Sequence, residues 1–189
     1  ELVRLGAGRM SCLHIRREFL RVADAAGGRD KCPADSVVMQ ALSRIDLMFA
    51  IDGLLDGEEP EGRLRGRNEA TTIEFAGRTV ETSLAEQMAA FEAFCRKSLP
   101  EAAPRSLLAN ALANALEQWP HVENALSDGR LPLSNNLAER AIRPWAVGRK
   151  NWLFCDTPSG ARASCAAWSV VTTARACGLD DRAYVEWLL

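Results

Sequence analysis

Residues 128–154 read DGRLPLSNNLAERAIRPWAVGRKNWLF. Asp128-Gly129 makes a turn, and Leu131-Pro132-Leu133 suits a short extended piece. Ser134-Asn135-Asn136 is either a turn or a helix N-cap, and a helix is expected over Asn136 to Ile142 with Pro144 ending or kinking it. Glu139 is the only carboxylate between Gly129 and Cys155, set among Arg130, Arg140, Arg143, Arg149 and Lys150. On a helix Glu139 and Arg143 stand one turn apart and can pair. Two readings follow. The acid can hold a hard divalent cation such as Mg²⁺ while the basic groups and Asn135 and Asn136 hold phosphates. It can equally make helix-surface ion pairs with Arg140 or Arg143. The residues alone leave both open.

Charge along the rest of the chain is segregated. The formal net charge over 189 residues is −2. Residues 1–31 carry a net +3, residues 32–128 a net −8, residues 129–175 a net +5 and the last fourteen residues a net −2. Two basic segments flanking an acidic one suggest two pieces of a basic surface separated by an insertion. A hydrophobic content of 48% with 25% charged residues is that of a globular chain and excludes wholesale disorder and collagen-like structure. The best apolar run, Val37 to Leu55, is broken by Gln40, Ser43, Arg44, Asp46 and Asp52, so no membrane span is expected. The N-terminus lacks a signal-peptide core and an initiator Met. The six cysteines form no CxxC pair and are expected reduced, mostly buried, in a cytoplasmic protein. His14 and His121 have no partner at zinc-ligand spacing.

Helices dominate the expected structure. Ser11 to Ala26 reads as a helix stopped by Gly27-Gly28. Asp35 or Ser36 caps a second, running to Leu55 on Val38, Leu42, Ile45 and Phe49. Residues 58–78 suggest a loop or weak helix. Thr82 or Ser83 caps a helix with the stripe Leu84, Met88, Phe91 and Cys95, and another spans Leu107 to Trp119, closed by Pro120. After the breaker Thr157-Pro158-Ser159-Gly160, a helix is expected over Ala161 to Cys177 with Gly178 at its end, and Asp180-Asp181 opens a last one. His14, Arg16 and Arg17 can touch a DNA backbone or form an ordinary solvated face. Trp145 and Trp152, beside Arg149-Lys150, can stack on unpaired bases or lie in a core.

The order and content of residues 128–154 resemble the C-terminal part of the insertion sequence 66 family of DDE transposases. The resemblance rests on Asp128-Gly129-Arg130, Asn135-Asn136, Ala138-Glu139-Arg140, Arg143-Pro144 and Gly148 through Phe154. Ser11 to Phe19, SCLHIRREF, is similar to the family's Cys-x-x-His-x-Arg-Arg-x-Phe helix, with Ser11 in place of Cys, and Ser134 stands where the family usually has Asp. Ala161 to Leu189 is similar to the family's terminal helices.

The resemblance implies a mainly α chain forming the C-terminal part of a ribonuclease-H-like core, with little or no sheet and with exposed apolar surface. Residues 1–31 would be a core helix, 32–128 a helical insertion, and 129–189 the part of the core bearing the third catalytic carboxylate, Glu139. It implies Mg²⁺-dependent DNA cleavage and strand transfer in the full-length enzyme, with Glu139 as metal ligand. DNA contacts are expected from His14, Arg16, Arg17, Asn135, Asn136, Arg140, Arg143, Arg149 and Lys150. The partners implied are the element's terminal repeats and target DNA, and further copies of the full-length chain, with no membrane. The family's first two aspartates lie upstream of the His14 helix, where only ten residues precede Ser11, so this chain is expected to be inactive alone. The alternative is a degenerate remnant, at most a helical DNA-binding or self-associating module.

Overall fold

The computed structural model describes residues 11–134, 136–148 and 157–189. The chain is mainly α-helical and divides into two compact units, Glu1–Asn135 and Asn136–Leu189.

The first unit contains α1 (Cys12–Ala25), α2 (Val37–Gly53), α3 (Pro60–Asn68), a hairpin of β1 (Thr71–Phe75) and β2 (Arg78–Thr82), α4 (Leu84–Ser98) and α5 (Leu107–Val122). Single helical turns lie at Arg29–Lys31, Leu99–Glu101 and Glu123–Leu126. Three of the four long helices have a serine whose hydroxyl accepts from a free N–H of the first turn, whereas Ser11 at the start of α1 makes no such bond. Ser36 accepts from the Met39 amide, Ser106 from the Ala109 amide, and Ser83 forms a reciprocal capping box with Glu86. Gly27 and Gly28, both at positive φ, end α1 where a side chain would be strained.

The apolar stripes then meet. Helix α1 packs on α2 and α5, and α4 packs on the same two helices. Ile15, Phe19, Leu42, Ile45, Met48, Leu84, Met88, Phe91, Leu112 and Trp119 are fully buried between them. Phe91 sits at the centre, 6.2 Å edge-on from Phe19 and 5.0 Å from Trp119, ring centroid to centroid.

Three expectations are corrected. Of the loop or weak helix expected over residues 58–78, the helix is found at Pro60–Asn68, and the strand that follows it was not expected. Pro60 at the first helical turn sets α3, and the alternating β-branched and aromatic run Thr71 to Phe75 pairs with Arg78 to Thr82, Ile73 facing Val80. Ala76 and Gly77, both at positive φ, make the two-residue turn that matches the strand twist. Pro120 does not close α5, which runs on to Val122. Its missing N–H falls in the last turn, where losing one hydrogen bond costs little. Thr157 to Gly160 is no breaker. Thr157 Oγ1 accepts from the Gly160 amide and Pro158 takes the first turn.

The second unit contains α6 (Asn136–Gly148), which continues through Pro144, α7 (Pro158–Ala176) and α8 (Asp181–Leu188). Helices α7 and α8 pack together; Asp180 caps α8 by accepting from the Ala183 amide at 2.8 Å, and Arg175 pairs with Asp181 at 2.5 Å. Ala174 is the buried residue of this unit among those described, while Val147, Leu179, Trp187 and Leu188 are exposed. Cys12 and Cys95 are buried and Cys32 partly so, but Cys165 and Cys177 are exposed on or just beyond α7. Among the described residues the expectation that the thiols are mostly buried therefore holds for the first unit and not for the second, and Cys155 lies outside the described residues.

Candidate nucleic-acid and metal site

Helix α6 carries the acid on which the site reading depends. Asn136 is its first residue, and Glu139 lies in its first turn, where the helix dipole favours a negative charge. Asn136, Glu139, Arg140 and Arg143 recur at i, i+3, i+4 and i+7, so they share one face, and all four are exposed. A carboxylate is thereby flanked on a solvent-facing stripe by an amide and two guanidinium groups. Asn135, Arg149 and Lys150 lie outside the described residues.

The chain reaches α6 along a segment fastened within the first unit. Asp128 accepts from both the backbone amide and the guanidinium of Arg130, at 2.9 and 2.6 Å. These bonds hold its carboxyl down at about 2, well below the ordinary value. Gly129 lies against the start of α3 so closely that a Cβ would stand 1.8 Å from the Pro60 carbonyl oxygen. Leu131 and Leu133 are buried, and the Leu133 carbonyl accepts from the Cys12 amide at 3.2 Å, tying this extended piece to the start of α1. The aspartate-glycine-arginine turn thus has a packing cause for its glycine and an electrostatic one for its aspartate and arginine.

On α1 the three expected contacts differ in situation. His14 is half-buried, its Nδ1 3.2 Å from Ser11 Oγ. Arg16 donates from Nε to Asp46 on α2 at 2.7 Å, sharing that carboxylate with Arg29. Arg17 is exposed. Arg16 therefore ties α1 to α2, and Arg17 is the one of the two arginines turned to solvent. Cys12, beside them, is no nucleophile: burial pushes its thiol up to about 12.

The sequence reading missed a buried network on α3. Arg63 and Arg67, one turn apart, both donate to Asp52 of α2, at 2.9 and 2.8 Å, and Arg67 also donates to the Ala125 carbonyl at 2.7 Å. The i, i+4 spacing of the two arginines after Pro60 was the available signal.

Among the described residues no three His, Cys, Asp or Glu side chains gather closely enough to hold a metal ion. Glu139 alone offers two oxygens where a hard dication takes about six, so the described residues do not complete a metal site. Nor, among them, is any helix long and apolar enough to cross a membrane.

Comparisons with known proteins bear on the family of the chain. The family model described as Transposase IS66 family matches residues 4–163. The uncharacterized protein y4hP of Sinorhizobium fredii (strain NBRC 101917 / NGR234) is 30% identical over 181 residues, covering 93% of this chain and 30% of the relative. The uncharacterized protein y4qI of the same organism is 29% identical over 176 residues, covering 93% of this chain and 28% of the relative. The chain thus spans about three tenths of the length of the curated relatives it matches. No solved structure matches it. With the family model matching most of its length, through the α1 helix and the Glu139 helix alike, the chain belongs to the IS66 family of transposases.

Proposed function

We propose that this chain is the C-terminal part of a transposase that cleaves DNA and transfers strands to a target in the cytoplasm. Family membership implies a transposase-related role, DNA as partner and a divalent metal in general. The observation that carries the finer reading is the exposed stripe of α6, where Glu139 stands between Asn136, Arg140 and Arg143. In this reading Glu139 is one of three carboxylates of a ribonuclease-H-like core, the other two being supplied by aspartates upstream of α1. A bound Mg²⁺ would polarise a phosphodiester and activate the attacking oxygen. Arg140 and Arg143 would hold flanking phosphates, joined by Asn135, Arg149, Lys150, His14 and Arg17. Residues 32–128 would be a helical insertion, and the full-length enzyme would work as a homo-oligomer.

The test is Glu139→Gln in a full-length form of the enzyme. Strand transfer is expected to vanish while the thermal melt and DNA affinity stay near those of the parent. Retained strand transfer refutes the assignment.

A further inference from the structure

Six of the eight cations of residues 32–128 fall into two groups, with Arg65 and Arg105 in neither. Arg63 and Arg67 are bonded to Asp52, and Arg96 pairs with Glu92 one turn away. Arg44, Arg78 and Lys97 carry no carboxylate partner among the described residues, and they line two open grooves that meet at Arg44. The first, 380 Å³, lies between α2, the hairpin and α4, lined by Arg44, Phe75, Arg78 and Gln87 among others. The second, 550 Å³, runs along α2 and α4 past Phe94, Lys97 and Glu101. At the junction the Arg44 guanidinium stacks over the Phe94 ring, 5.0 Å from its centroid. That contact fixes the flat group by its face and leaves its N–H edges for an acceptor. Glu101 is the one carboxylate among the residues lining either groove, so three cations face one anion.

We infer that these joined grooves hold the phosphate backbone of DNA, a contact surface on the acidic middle block separate from the basic segments at 1–31 and 129–175. The inference rests on the proposed function. The block's net charge of −8 gives an anionic partner no help at long range, and at physiological salt charges beyond about 8 Å are largely screened. Binding must come from contacts made inside the grooves. A polymer with a phosphate at every step engages Arg78, Arg44 and Lys97 together, whereas a lone carboxylate on a protein surface engages one. A guanidinium fork matches phosphate geometry, and open elongated grooves suit a continuous backbone better than an enclosed small anion.

The experiment is a salt series of fluorescence-anisotropy titrations of a duplex oligonucleotide, using the 189-residue chain, R44Q/R78Q/K97Q and R78Q/K97Q. Arg78 and Lys97 are exposed, so the double variant tests the surface even if loss of the Arg44–Phe94 contact disturbs folding. The slope of log affinity against log salt is expected to become shallower by about 2.7 in the triple variant and about 1.8 in the double, with unchanged melting curves. An unchanged slope in a folded variant overturns the inference. So does a change in sedimentation with DNA affinity untouched, which would make the grooves a contact between copies of the chain. If the parent chain binds no DNA even at low salt, the proposed function falls as well. If the parent binds and the folded variants bind with its affinity and its salt slope, the inference falls alone.

Discussion

Arg67, fully buried, donates from Nε to the nearly buried carboxylate of Asp52 at 2.8 Å, joining α3 to α2 across fifteen residues of sequence. The same guanidinium reaches the Ala125 carbonyl, and Arg63 takes the second oxygen of Asp52. Asp52 therefore faces two cations at the base of the turn that leads toward α6, with Asp56 a more distant second partner of Arg63 at 3.9 Å. Breaking such a buried set by removing one partner leaves an uncompensated charge, which costs about 3–5 kcal/mol. Asp52→Ala strands the buried Arg67, while Arg63 keeps only Asp56, 3.9 Å away, and the variant is expected to fall in that range by urea denaturation. Arg67→Met leaves Asp52 paired with Arg63 and is expected to cost clearly less. Equal losses in the two variants would mean that Asp52 is not the hub.

Gly129 provides a second check on the same turn. A Cβ there would stand 1.8 Å from the Pro60 carbonyl oxygen and 3.0 Å from the Leu64 amide nitrogen, both backbone atoms that cannot swing away. Gly129→Ala must push the first turn of α3 off the 128–130 turn, and overpacking of this kind costs about 1–3 kcal/mol. At Gly53, in the last turn of α2, a Cβ would meet nothing within 4 Å. Gly53→Ala is expected to be neutral or to stabilise by up to about 1 kcal/mol, chiefly by reducing the freedom of the unfolded chain. Melting temperatures moving in the same direction for both variants would contradict the packing argument.

The contrast between these features and the bundle explains what was legible in the sequence. Helices α2 and α4 could be read because Leu42, Ile45, Met88 and Phe91 recur at helical spacing behind serine caps, a local pattern that packing reinforces. For residues 60–68 the sequence leaves loop and weak helix open, since the polar run around Arg63 and Arg67 carries no apolar stripe. Their burial depends on Asp52, whose relation to them crosses a helix boundary and follows no periodicity. The same limit hid the grooves, whose cations come from α2, β2 and α4 and meet only in three dimensions. Glu139 was singled out by its isolation among basic residues and by the motif around it. The structure adds that Asn136, Arg140 and Arg143 share its exposed face.

Acid titration followed at a single carboxyl tests the 128–130 turn. The Asp128 carboxyl is held at about 2, against an ordinary value of 3.8, first by the hydrogen bond from the Arg130 side chain and next by that from the Arg130 amide. A carboxylate whose folded value is depressed favours the folded state when ionised. Its contribution is therefore fully present above about 4 and is lost as the pH falls through 3.8 toward 2. The guanidinium supplies the larger share, so Arg130→Ala should return the Asp128 titration, followed by carboxyl-carbon NMR, much of the way to the ordinary value. Asp128→Asn should flatten the stability profile between pH 4 and 2 while leaving it unchanged at neutral pH apart from a constant offset. An Asp128 carboxyl that titrates normally in the parent chain would show that Arg130 does not hold the turn in solution.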